Sequence, residues 1–165
     1  MFAFATPHFR ENAGAWRAWL TEPAGMVTVM GPGHGSRDAS AWIIDHVCVE
    51  MRQRLEPPYI YLHDWTRLNK TDSDSRRLIQ SWGKTSNDQG LVKAVTFVEP
   101  PNVMLRMSMT AGFALLRSFG MNIAPVKTLD EAMHVNKARV LPSLAGVPGR
   151  FKAAPIIDTR MPSYL

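Results

Sequence analysis

The residues able to do chemistry are few and do not converge. His34, Ser36, His63 and Asp64 are the types a nucleophilic hydrolase uses. Ser36 lacks the glycines two before and two after it that make a nucleophile elbow. His63 and Asp64 are neighbours in an apolar run, so on a strand they point to opposite faces and form no relay. His8, His46 and His134 are scattered, whereas a metal needs three or more ligands brought together. Cys48 is the single cysteine, which excludes an intramolecular disulfide and a thiolate cluster. Its place in a helical stretch marks it as a small buried residue. Gly31, Gly33 and Gly35 stand between an apolar run and a helical pattern, where backbone N–H groups could cradle an anion. Their spacing is not that of the dinucleotide fingerprint, and no lysine follows as in a phosphate-binding loop. No reaction is legible here, and neither catalysis nor a cofactor nor a metal is expected.

Bulk properties narrow the function classes further. The chain has 165 residues, 45% apolar, 20% charged and 9% aromatic, a globular composition of one-domain size. No apolar run reaches the ~20 residues of a membrane span. Met1 to Arg10 lacks the basic-then-apolar order of a secretory leader, and with one cysteine this argues for a cytosolic address. The net charge is +5. Residues 138–165 carry +3 of it, through Arg139, Arg150, Lys152 and Arg160 against Asp158. No basic run exceeds Arg76-Arg77 and no aromatics alternate with basic residues, so specific nucleic-acid binding is not expected.

The elements that must position any site alternate. After a lead-in over 1–14, the runs from Ala15 to Leu20 and Met26 to Met30, around Glu22-Pro23-Ala24-Gly25, predict a β-hairpin. Ser36 is an N-cap candidate for a helix reaching about Leu55, with Ala39, Ile43, His46, Val47 and Met51 inward and His46 as a satisfied core histidine. Pro57-Pro58 stops it. Tyr59 to Trp65 is a strand, followed by a polar loop. Ser73 to about Trp82 is a second helix with Leu78, Ile79 and Trp82 inward, and Ser86 to Gly90 is a loop. Val92 to Val98 reads as a strand covered on both faces. Asn102 caps a methionine-rich helix to Phe119, closed by Gly120, and its Met104 and Met107 are expected in the core. A short strand from Met121 to Lys127 precedes a helix opened by the capping box Thr128-Leu129-Asp130-Glu131. The order β-β-α-β-α-β-α-β-α implies an α/β fold, with a mostly parallel five-stranded sheet over 15–137. Ile60, Leu62, Val95 and Phe97 should be almost fully buried.

Residues 138–165 differ. Pro142, Pro148, Pro155 and Pro162 leave no room for long elements, yet Leu141, Leu144, Val147, Phe151, Ile156 and Ile157 are too apolar for a solvated tail. The segment reads as an extended arm lying on its own domain or a neighbouring subunit. Lying on a twin would cover apolar surface on both copies, so a homodimer with arm contacts is expected.

Asp64 at the end of its strand, Leu68 four residues on and Asp72-Ser73 at a helix start have a spacing that resembles the STAS domain of sulfate transporters and anti-sigma-factor antagonists. Ala111-Gly112-Phe113, Leu116, Phe119 and Thr128 to Ala132 resemble the end of the same domain. The likeness covers about 15–135 and is nearest to small stand-alone bacterial STAS-like proteins. In the antagonists a helix begins with aspartate, two serines and glycine, and a partner kinase phosphorylates the first serine; Ser73 after Asp72 falls at that place. This chain has Asp74 for the second serine and Ser75 for the glycine. The resemblance implies a regulatory or protein-interaction module with a protein partner. Ser73, Asp72 and Asp64 would be its switch or partner-binding residues. The alternative is a binding domain for a lipid- or nucleotide-like molecule. Under either reading the resemblance implies that Met104, Met107, Phe113, Gly33 and Gly35, where not taken up by the core, would be the ligand or partner surface, and an enzyme ranks last.

Overall fold

The computed structural model describes residues 6–11 and 16–145. Strands β1 (Phe9–Arg10), β2 (Trp16–Glu22), β3 (Gly25–Met30), β5 (Tyr59–Asp64), β7 (Val92–Val98) and β8 (Ile123–Val126) lie in that order across one sheet, and β9 (Arg139–Val140) joins the free edge of β2. The hairpin β2–β3 is antiparallel, whereas β3, β5, β7 and β8 run parallel. The five central strands are those expected from the sequence. The two-residue strands β1 and β9, too short to carry a period, extend the edge.

Helices α1 (Arg37–Trp42), α2 (Cys48–Arg54), α3 (Ser73–Asp88) and α4 (Val103–Ser118) supply the crossovers. Alternation along the strands divides the core between two faces. Trp16, Ala18 and Leu20 join Met26, Tyr59, Tyr61 and the residues of α1, α2 and α4 on one side. Trp19, Val27 and Leu62 meet α5 (Leu129–Val135) through Ala132 and Met133 on the other. The sheet is thus heavily covered on one face and lightly on the other. Ile60, Leu62 and Phe97 are buried as expected, but Val95 is only partly so, and the first half of β7 is no buried strand. Val95 shares the face of Phe97 and packs only at the margin of the larger core, so it is half-covered.

Three local features differ from the sequence reading. The first helix does not run as a plain α-helix; a π-helical turn at Ile43–Val47 separates α1 from α2. Its buried residues fall in pairs four apart, Ala39-Ser40, Ile43-Ile44 and Val47-Cys48, then Met51. A 3.6-residue period would drift off such a stripe, and the wider turn restores the phase. His46 is thereby turned outward and is exposed, a correction to its placement in the core. Second, α3 continues to Asp88, through the stretch expected to be a loop. Its buried residues are Ser75, Gly83 and Ser86, small side chains that leave no apolar signal. Third, the polar loop after β5 contains β6 (Leu68–Thr71), which pairs in parallel with β4 (Gly33–Gly35) as a separate two-stranded ribbon.

The C-terminal arm begins by packing in cis. Arg139 and Val140 pair with Glu22 and Thr21, the Leu141 N–H donates to Leu20 O, and Leu141 and Leu144 lie against the core. Val147, Phe151, Ile156 and Ile157, and the arm-mediated homodimer that rests on them, fall outside the described residues.

Candidate functional site

Parallel strands deliver their following helices with N-termini at one edge of the sheet, and there the sequence-predicted residues meet. Ser36 caps α1, its Oγ accepting from the Ala39 N–H at 3.2 Å. Asp72 caps α3, one carboxylate oxygen accepting from the Ser75 N–H. The other oxygen accepts from the Arg37 N–H at 3.2 Å, and His34 Nε2 stands 3.7 Å from it. One carboxylate therefore serves the N-termini of both helices, where backbone N–H groups and the helix dipole favour negative charge. Beneath it the hydroxyls of Ser40 and Ser75 share a buried hydrogen bond of 2.7 Å. The Asp72 carboxylate takes its backbone donors from the two helix starts, and the glycine segment before α1 contributes the Gly35 carbonyl, which accepts from the Asp72 N–H at 3.4 Å. Gly33 has φ of 134°, a conformation only glycine takes easily. Gly35 packs closely on β6: a Cβ there would stand 3.1 Å from the Thr71 methyl, a tight contact.

Ser73, the first residue of α3, is exposed, and Asp72 and Asp74 flank it. Asp64 ends β5 and accepts from the N–H and hydroxyl of Thr66, closing its own turn. The site residues of α4 separate. Phe113 is buried, 8% exposed, but Met104 and Met107 stand 76% and 65% exposed. The expected core role of these two methionines is thus corrected. Leu105, Phe113 and Leu116 fill the inward face instead, and three-residue spacing puts Met104 and Met107 together on the outward one. With Val103, Leu115 and Phe119, also exposed, they make an apolar stripe along the helix. Helices α3 and α4 run side by side in the same direction: Gln80 approaches Gly112, Gly83 faces Leu116, and the Asn87 amide donates to Phe119 O at 2.9 Å. Ser73 and the Met104 end of the stripe consequently lie at the same end of the molecule.

Three of the groups with catalytic chemistry, Cys48, His63 and Ser36, have structural roles. Burial pushes the Cys48 thiol up to about 12. His63 shares a 2.6 Å hydrogen bond with Thr28 Oγ1 and stacks on Trp65, and burial lowers its pKa to about 4. The Ser36 hydroxyl is a helix cap. Between α3 and α4 opens a mostly apolar cleft, reaching from Trp65 and Leu68 at its base to Arg76, Ile79, Met109 and Phe113. The sequence reading missed Trp65 and Arg76. Trp65 follows a strand end and Arg76 sits in an ordinary amphipathic helix, so neither carried a signal.

No protein-family model and no curated protein matches the chain. Among solved structures it is similar to the anti-sigma factor antagonist SpoIIAA in its unphosphorylated form. The superposition has a TM-score of 0.52 at 15% identity and covers 74% of this chain and 98% of that one. The chain has the STAS fold.

Proposed function

We propose that this STAS-fold protein is a regulatory module that binds another protein and has no chemistry of its own. Its docking surface is the end of the molecule where α3 and α4 begin. The observation that carries this reading is the exposed stripe of Met104 and Met107 at the same end as the exposed Ser73. Apolar side chains held in water along one helix face are the material of an interface core, and methionines adapt to the shape of a partner. Ser73 is the regulatory position. A phosphate there would add about −1.5 to −2 charge at a helix N-terminus, next to Asp72 and Asp74, and alter how a partner meets the surface. The protein similar in fold is an anti-sigma factor antagonist, which supports a partner of the regulatory kind.

The experiment is a binding comparison of Ser73→Ala and Ser73→Glu with the purified partner. Ser73→Glu is expected to weaken binding while leaving the melting temperature unchanged, because the helix dipole tolerates an acidic residue in the first turn. Equal binding by both variants removes phosphorylation at Ser73 from the account.

A further inference from the structure

One side chain closes the outer edge of β2 where no strand does. Along that edge β1 pairs with Arg17 and Ala18, and β9 pairs with Thr21 and Glu22. In the gap between them the Leu20 N–H donates to His8 Nδ1 at 3.0 Å, and the Leu20 carbonyl accepts from the Leu141 N–H at 3.0 Å. A ring nitrogen accepts a hydrogen bond only while it carries no proton. The contact therefore fixes a neutral imidazole with its proton on Nε2, and that nitrogen is shut off from water without a hydrogen-bond partner. A second proton would set an Nδ1–H against the Leu20 N–H and bring charge into a site that cannot solvate it. Burial accordingly lowers the His8 pKa below the usual 6.5, against a smaller opposing pull from the Leu141 carbonyl.

No charged neighbour offsets this. On its own segment Arg10 is exposed and Glu11 half-buried; Arg17 and Glu22 of β2 and Arg139 of β9 are exposed. Glu22 and Arg139 pair with each other at 2.8 Å, and none of the five shifts the imidazole. The elements that flank His8 are also lightly held. Each pairs with β2 over two residues, and their apolar anchors Phe9, Leu141 and Leu144 are only partly buried.

We propose that His8 is a pH-sensitive latch, whose protonation releases β1 and β9 from β2 and bares that edge of the sheet. Leu20 carries the bonds to both His8 and Leu141, so losing the first loosens the strand that holds the second. An uncovered edge presents unpaired N–H and C=O groups to other chains, and the latch keeps it closed at neutral pH. It rests on the edge of the sheet and is independent of the docking surface on α3 and α4.

Two measurements on the full-length protein test this. The ¹⁵N shifts of the His8 ring at about pH 7.5 should show Nε2 protonated and Nδ1 bare; a ring protonated on Nδ1 overturns the proposal. Amide exchange should then show protection at Leu20 and Leu141 falling between about pH 7.5 and about pH 5. The expected fall is roughly fivefold or more, up to the roughly thirtyfold limit for a released imidazole of pKa ~6.5. His8→Asn offers an acceptor oxygen that does not titrate, and should hold protection within about twofold over the same range. His63, the other imidazole with a lowered pKa, is present in both proteins, so the difference between them belongs to His8. His8→Ala should lower protection at neutral pH already. Wild-type protection that does not fall, an equal fall in His8→Asn, or an unchanged His8→Ala overturns the latch.

Discussion

Replacing Asp72 tests whether one carboxylate holds two helices. Asp72→Ala removes the cap of α3, the bond to the Ser75 N–H, which typically costs about 1 kcal/mol. It also removes the acceptor for the Arg37 N–H, a further ~0.5–1.5 kcal/mol. The pairing with His34 adds little, because both side chains are over a third exposed and such pairs contribute about 0–1 kcal/mol. The sum is about 2 kcal/mol, or roughly 4–8 °C in melting temperature for a chain of this size. Asp72→Asn retains an oxygen for one of the two N–H groups and should cost less than half as much. Urea denaturation separates the cases, since a change in midpoint at constant slope reports stability alone. An Asp72→Ala protein within about 0.3 kcal/mol of wild type, or an Asp72→Asn protein equally damaged, would refute the shared-cap reasoning.

Gly25 opens β3 so close to β5 that a Cβ would fall 2.1 Å from the Ile60 carbonyl oxygen; Gly25→Ala should cost at least about 1–3 kcal/mol by overpacking, and an unchanged denaturation midpoint contradicts that close approach. His63 has its pKa lowered from 6.5 to about 4 in the fold, so between those values the unfolded chain holds more protons. Its stabilising effect is complete above pH ~6.5 and falls away as pH drops to ~4, by on the order of 1–3 kcal/mol. His63→Gln should flatten that part of the stability–pH curve, and an unchanged slope would place the titration elsewhere. Truncation after Lys137 strips β9 from the β2 edge and uncovers the core beneath Leu141 and Leu144; a melting temperature several degrees lower is expected by calorimetry, and an unshifted one would show that this packing contributes nothing.

The elements most legible in the sequence were those with a strong period or a strong cap. Asn102 accepts from the Leu105 N–H and Thr128 from the Glu131 N–H as their spacing implied, and Gly120 takes a φ of 81° after α4. The capping box departs in one detail: the Glu131 carboxylate accepts from the Lys127 N–H, one residue earlier than the usual return bond. What stayed hidden has identifiable causes. The π turn replaces a 3.6-residue period with one of four, so His46 read as inward. Ser75, Gly83 and Ser86 face the core without hydrophobicity to announce it. Met104 and Met107 are apolar whether they fill a core or wait for a partner, and only the placement of Leu105, Phe113 and Leu116 decides which face of α4 is inside. The site was legible as residue types at helix starts. The sharing of Asp72 between two helices was not, because it joins residues 35 positions apart.

The central claim is that Ser73 and the outward face of α4 form one protein-binding surface. Its most direct test is quantitative affinity capture from native lysate, comparing wild type with Met104→Glu, Met107→Glu and Ser73→Glu, and with Val135→Glu on the exposed face of α5 as the control. The account predicts one protein retained by wild type and by Val135→Glu but depleted from all three other variants, each folded to the wild-type melting temperature. Retention of the same proteins by all five would contradict it.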